Sequence, residues 1–119
     1  MDIKTELMEL PEIIKQQEYA VADLAREIEK RQSAMEFLRI NVSAAVASER
    51  EDGKNRFPNE TLREAEVIRR LQSDPEKMYP DWERMLRTDK TNLEAAQIEL
   101  RYELNMFSAL KTIAQMREG

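Results

Sequence analysis

An apolar residue recurs at alternating steps of three and four along the first third of this chain. The members of the repeat are Leu7, Leu10, Ile14, Val21, Leu24, Ile28, Met35, Leu38, Val42 and Ala45. Because an α-helix turns once in about 3.6 residues, these side chains share one stripe. A strict seven-residue period is typical of helices that pack against another helix. The repeat therefore predicts a long helix with a coiled-coil-like seam.

Composition narrows the class of protein. The chain has 119 residues, of which 41% are hydrophobic and 36% charged, with only two glycines. This profile favours one domain of long, solvated helices. The net charge of −5 argues against broad binding to duplex DNA or to anionic membranes. Neither a bilayer-spanning apolar run nor a secretory signal is recognisable, so we expect a cytoplasmic protein without a membrane partner.

Histidine and cysteine are both absent. Their absence excludes disulfides, thiolate zinc sites, cysteine nucleophiles and imidazole relays. Two carboxylate pairs, Glu9 with Glu12 and Glu49 with Asp52, resemble the acidic pairs with which all-helical nucleotide pyrophosphatases hold Mg²⁺. In a helical hairpin these pairs would lie at opposite ends of the first helix, so one metal cluster could not use both. We therefore expect no enzymatic activity, cofactor or metal site.

Proline and glycine positions predict where the first helix begins and ends. A proline inside a helix costs about 3 kcal/mol. We therefore predict a short lead-in, a kink or restart just before Pro11, and one helix over residues 11–51. Gly53 tolerates left-handed backbone angles and Pro58 forbids a continuous helix, which predicts a loop over residues 52–59.

The returning part of the chain is predicted to be interrupted. Asn59 or Thr61 can cap a short helix over residues 60–72. An Asp-Pro and a Tyr-Pro dipeptide then predict a turn or a kink over residues 73–80, followed by a last helix over residues 80–117. The predicted fold is all-α, a long antiparallel helical hairpin with a kinked or broken returning arm.

Both long helices carry more apolar surface than one partner helix can cover. The additional side chains are Ile98, Tyr102, Met106, Ala109, Ile113 and Met116 on the last helix, with Phe37 and Ile40 on the first. A two-helix hairpin would leave them in water, and apolar strips of this kind mark interfaces. We predict a homo-oligomer, a dimer or tetramer that completes a helical bundle. A different protein partner would cover the same side chains equally well.

Two polar residues interrupt the seam of the first helix. Gln17 and Arg31 occupy positions where the repeat would place a leucine. Buried polar residues in coiled coils set register and oligomeric state, and this is the interpretation that we favour. The alternative is a site for a charged ligand within the bundle.

The predicted loop and its flanks concentrate basic residues around one aromatic residue. They are Lys54, Arg56, Arg63 and Arg70, with Phe57 among them. Such a group could contact phosphates and stack a base of a single-stranded nucleic acid. Interspersed acidic residues favour the other interpretation, a solvated loop stabilised by ion pairs. A protein partner at this loop is a further alternative.

The loop and its flanks also resemble a pattern found in small helical proteins of phages and prophages. The residues concerned are Lys54-Asn55-Arg56, Asn59-Glu60, Arg63, Arg70-Leu71 and Asp74-Pro75. In those proteins a long helix leads into such a region and then into a second long helix, and some are encoded beside replication or recombination genes. The resemblance implies an accessory role in a mobile element, and it implies no catalytic residue.

These patterns support one leading hypothesis and two alternatives. The leading one is a non-enzymatic, oligomerising helical module that acts as an adaptor or assembly factor. The first alternative is an accessory protein that binds single-stranded nucleic acid through the basic loop. The second is a chaperone-like clamp that grips a client with exposed apolar side chains.

Overall fold

The computed structural model describes residues 2–73 and 75–118, except for the side chain of Lys77. Its elements are α1 (Ile3–Ser48), β1 (Arg50–Glu51), β2 (Lys54–Asn55), α2 (Glu60–Ser73), a 3-10 turn (Pro75–Lys77) and α3 (Tyr79–Glu118). The predicted fold class is confirmed. The chain is an all-α helical hairpin in which α1 packs against α3 and the returning arm is broken between α2 and α3.

α1 begins at Ile3, because Asp2 caps it. The Oδ1 atom of Asp2 accepts a hydrogen bond of 3.1 Å from the backbone N–H of Lys4, and its Oδ2 atom accepts one of 3.0 Å from the Thr5 hydroxyl. The bond from Lys4 satisfies one of the backbone N–H groups that a helix start leaves without a partner.

The predicted helix start at Pro11 is wrong, because this proline lies inside α1. The proline ring removes one backbone hydrogen bond, to the carbonyl four residues earlier. Its neighbours on the seam, Leu10 and Ile14, are buried. We attribute the continuity of the helix to this packing, which offsets the lost hydrogen bond.

α1 ends at Ser48, so its predicted end at residue 51 is wrong. A two-residue β-hairpin follows, in which Arg50 pairs with Asn55 and Glu51 with Lys54. At the turn, Asp52 has a φ of 53° and Gly53 a φ of 78°. Two successive positive φ angles define the type I′ turn, whose twist matches paired strands and for which Asp-Gly is a preferred sequence.

The returning arm begins and breaks at identifiable residues. The Oδ1 atom of Asn59 accepts a hydrogen bond of 2.9 Å from the backbone N–H of Leu62, so Asn59 and not Thr61 caps α2. Between α2 and α3, the 3-10 turn is followed by Met78 with a φ of 57°. Asp74, the predicted cap of the last part of the chain, lies outside the described residues.

The one domain predicted from the sequence contains two compact units. The terminal unit consists of described residues 2–27 and 89–118, which belong to α1 and α3 except for Asp2. The central unit is Ile28–Thr88, which holds the end of α1, the β-hairpin, α2 and the start of α3.

The buried core of the central unit joins α1 to α2. Val42 and Val46 of α1 form a cluster with Val67 and Leu71 of α2. Leu38, Phe57 and Tyr79 pack against this cluster. The hairpin residues between the two helices are exposed, so the cluster, and not the strands, holds this end of α1 to α2.

The last member of the predicted repeat is displaced by one residue. Ala45 is exposed, whereas Val46 is 1% exposed. The buried series therefore takes two successive steps of four residues, from Leu38 to Val42 to Val46. Steps of this kind bring the period from 3.5 towards the about 3.6 residues of a straight helix.

Candidate association surface and helix-end charge cluster

The apolar surface predicted on the last helix lies on the exposed side of α3 in the terminal unit. We call it the outer stripe, and it consists of Ala95, Ile98, Tyr102, Met106, Ala109, Ile113 and Met116. All of these residues except the half-buried Met106 are exposed. Ile98 and Tyr102 each retain 59% of their accessible surface. Large apolar side chains thus face outwards over about 30 Å of helix.

The opposite side of α3 holds the residues that face α1. Leu93, Leu100, Phe107 and Leu110 are half-buried there. No residue in α3 is fully buried, although all of the helix is described. α3 therefore has apolar residues on two sides, and neither side is fully covered.

The two apolar residues predicted on α1 lie in the central unit. Phe37 is 68% exposed and Ile40 is also exposed. They line a shallow depression on one face of α1 together with Glu29, Ser33 and Glu36. This patch and the outer stripe belong to different units, and we treat them as separate surfaces.

The structure places both polar seam residues at half-buried positions. Among the described side-chain nitrogen and oxygen atoms, Oε1 of Gln17 is the buried one that lacks a hydrogen-bond partner. Arg31, in contrast, has a partner on α3: its Nη1 donates a hydrogen bond of 3.3 Å to Sδ of Met85. An unpaired buried amide oxygen costs stability. The register role of Gln17 stays a prediction.

Several basic residues at the loop side of the central unit are engaged by two carboxylates. We call this group the charge cluster, and it consists of Glu49, Arg56, Glu66, Arg69 and Arg70. Nη2 of Arg70 lies 2.7 Å from Oε1 of Glu49, and its Nε lies 2.8 Å from Oε1 of Glu66. Arg69 donates two hydrogen bonds to Glu66, and Arg56 contacts Oε2 of Glu49 at 3.2 Å.

These contacts shift the pKa of each carboxyl group in the direction that favours the ion. Hydrogen bonds from Arg69, and then from Arg70, lower the pKa of Glu66 from 4.5 to about 2. The hydrogen bond from Arg70 is also the main cause that lowers the pKa of Glu49. In turn, the hydrogen bonds to Glu66 raise the pKa values of Arg69 and Arg70. Glu49, Glu66, Arg69 and Arg70 therefore stay ionised near neutral pH.

Phe57 contributes to the core and does not project from the loop. It is half-buried against the valine and leucine cluster. The guanidinium carbons of Arg56 and Arg70 lie 5.3 and 5.9 Å from the centre of its ring. Two of the cations predicted for phosphate contact are thus occupied by intramolecular partners. Lys54 lies on the exposed strand β2, and Arg63 is half-buried on α2.

The sequence interpretation did not identify Glu49 and Glu66 as the centres of this cluster. Part of the signal was available, because Glu66 precedes Arg69 and Arg70 by three and four residues, the spacing at which helical side chains meet. The partnership of Glu49 with Arg70 joins two residues that do not share a helix, so no helical spacing indicates it.

Two features of the described residues bear on other functions. No helix there has the length and apolarity needed to cross a membrane. No group of three acidic side chains there is arranged to hold a metal ion. Comparisons of the chain with protein-family models, with curated proteins and with solved structures find no match.

Proposed function

We propose that this chain is a non-enzymatic helical module that associates with further copies of itself through the outer stripe of α3. Its role would be that of an adaptor or assembly factor. The biological setting that the resemblance implies, an accessory role in a phage or prophage, belongs to the same proposal.

One observation carries the proposal. α3 is a helix of 40 residues in which no residue is fully buried, yet its outer stripe is apolar and exposed. Most helical stability in proteins comes from packing of an apolar face, because propensity alone leaves a helix marginal. A protein partner on the outer stripe would supply that packing and would remove an apolar strip from water.

The test is the mass of the protein in solution as a function of concentration. Light scattering coupled to size exclusion should give a mass above the 14.0 kDa of one chain, and the excess should fall on dilution. Ile98→Asp puts a charge in the outer stripe and should return the protein to one-chain mass. Gln97→Asp introduces the same charge at a neighbouring exposed position outside the stripe and should leave the mass unchanged.

A single-chain mass at every concentration would contradict self-association. The exposed outer stripe would then favour the clamp hypothesis, in which another protein covers it. A hydrophobic dye separates these possibilities further. If the copies cover each other's outer stripes, the wild-type protein should bind little dye and Ile98→Asp should bind more. If the stripe is exposed in the wild type, the wild-type protein should already bind dye and Ile98→Asp should not increase the binding.

The nucleic-acid alternative receives less support from the charge cluster. Arg56 and Arg70 are paired with Glu49 and Glu66, so contact with phosphate would have to break existing ion pairs. Fluorescence anisotropy with a labelled single strand at low salt tests it. Binding that weakens steeply with added salt and is lost in Lys54→Glu would revive the alternative.

A further inference from the structure

We propose that the outer stripe of α3 is covered by the outer stripe of a second copy in antiparallel orientation, with a two-fold axis passing between Asn105 and Met106. The inference rests on the proposed function, and it adds the orientation and register of the contact. It concerns α3 within the terminal unit alone.

Six of the seven stripe residues form pairs about that point, and Met106 lies beside the axis opposite Asn105. In a two-fold contact, residue i of one copy meets residue j of the other, and j meets i. An axis between residues 105 and 106 makes the two residue numbers of each facing pair sum to a constant. It brings Ile98 opposite Ile113, Tyr102 opposite Ala109 and Ala95 opposite Met116.

The sizes of the facing side chains favour this pairing. Tyr102, the largest residue of the stripe, meets the small Ala109, and Met116 meets the small Ala95. In a parallel pair each residue would face its own copy, so two tyrosines would collide while two alanines left a gap. Even filling of successive layers is what close packing between helices requires.

The charges along α3 also favour the antiparallel orientation. Residues 94–105 contain Glu94, Glu99 and Glu103 with only Arg101, a net charge of −2. Residues 106–117 contain Lys111 and Arg117 and no acidic residue, a net charge of +2. An antiparallel pair sets each negative half against the positive half of the other copy, and a parallel pair sets like against like. The dipoles of two antiparallel helices also attract each other, which favours the same orientation.

One specific ion pair follows from the direction of helical side chains. Each side chain leans towards the N-terminus of its helix, so Glu99 reaches towards the level of Ala95, and Arg117 towards that of Ile113. In the proposed register Arg117 of one copy is level with residue 94 of the other, which lies five residues, or about 7.5 Å, from Glu99 along the helix, and the two side chains lean towards each other across this distance. Both residues are exposed and flank the stripe on the same side, so Glu99 of one copy meets Arg117 of the other.

Single cysteines test the orientation, because the natural chain contains none. Met106→Cys lies beside the proposed axis and should form a covalent dimer under mild oxidation. Ile98→Cys alone should not, because the two introduced thiols would lie about 22 Å apart along the helices, far beyond disulfide reach. A mixture of Ile98→Cys with Ile113→Cys should give the mixed covalent dimer.

Each other outcome of the cysteine experiment overturns the inference. Efficient crosslinking of Ile98→Cys with itself would show a parallel pair. Failure of Met106→Cys to crosslink in a protein that light scattering shows to be associated would place the contact in another register or on another surface. That result would leave the proposed self-association standing, whereas a single-chain mass would remove both. Circular dichroism of each variant checks that it is folded.

Reversing the charges of Glu99 and Arg117 tests the register independently of the crosslinks. Glu99→Lys and Arg117→Glu should each raise the dissociation constant roughly 3- to 10-fold, the range expected of two symmetry-related surface pairs. The double variant should recover most of the affinity. Additive weakening in the double variant would show that Glu99 and Arg117 do not meet, and would overturn the register.

Discussion

Arg70 joins α2 to the residue that follows α1, because its Nη2 lies 2.7 Å from Oε1 of Glu49. The same guanidinium contacts Glu66 on its own helix and lies over the ring of Phe57. One side chain therefore connects the end of α1, the loop and α2. The stability of the central unit should accordingly respond to the ionisation of its two carboxylate partners.

The pKa of Glu66 predicts how stability depends on pH. Since folding lowers this pKa from 4.5 to about 2, the folded state binds fewer protons than the unfolded state in that interval. The contribution is fully present above pH 4.5 and is lost as the pH falls towards 2. In Glu66→Gln, the free energy of unfolding measured with urea should therefore depend less steeply on pH between 2 and 4.5. An unchanged slope would show that the pKa of Glu66 is not lowered by folding.

The two arginine partners of Glu66 should not be equivalent. The hydrogen bond from Arg69 is the larger cause of the lowered pKa, so Arg69→Gln should raise the pKa of Glu66 more than Arg70→Gln does. Carbon-detected NMR titration of the Glu66 carboxyl group measures both. The reverse order would contradict the hydrogen-bond geometry described for this cluster.

Pro11→Ala distinguishes the observed helix start from the predicted one. Inside α1 the alanine restores a backbone hydrogen bond and removes a steric conflict, which should raise the free energy of unfolding by about 2 kcal/mol. If the helix instead began at this residue, proline would be favourable there and alanine would not stabilise. Chemical denaturation of the two proteins decides between these results.

Gln17→Leu should stabilise the terminal unit. It replaces a buried, unpaired amide oxygen with an apolar group, which we expect to add about 1–2 kcal/mol to the free energy of unfolding. Gln16→Leu, at the adjacent exposed position, is the matched control and should change stability little. If Gln17 also sets the register, its substitution should change the oligomeric mass as well. Destabilisation by the leucine would argue that the amide has a partner.

Met78→Gly should also stabilise the protein. Met78 has a φ of 57°, a left-handed conformation that costs a residue with a side chain roughly 1 kcal/mol or more, and that glycine adopts freely. Gln97→Gly, within α3, should instead destabilise by about 1 kcal/mol. The midpoint of thermal unfolding should therefore rise in Met78→Gly and fall in Gln97→Gly.

The fold class follows from the sequence because its main signal is periodic. The seam of α1 is set by residues that repeat every seven positions, and all members of the repeat except Ala45 are buried or half-buried as predicted. The end of α1 is less well predicted. The Asp52-Gly53 dipeptide is a strong signal for a two-residue hairpin, but the prediction used Gly53 only to place a loop, so the predicted end of α1 lies three residues after the observed one.

The rest of the fold depends on tertiary contacts that spacing does not encode. Val46 replaces Ala45 in the core because Val67 and Leu71 lie where Val46 points. Pro11 stays helical because neighbouring seam residues are buried. For the candidate surfaces, the sequence identified the outer stripe by its period, whereas the pairing of Glu49 with Arg70 required the position of α2.

The type I′ turn at Asp52 and Gly53 also has a consequence for folding kinetics. The hairpin lets α1 reverse towards α2 through a short connection, so Val46 and Val67 meet at small sequence separation. Closing a short loop costs little entropy, and contacts of low sequence separation form fastest. We expect the rate-limiting nucleus of the central unit to include this turn. Strain introduced at Gly53 would then slow folding more than it speeds unfolding.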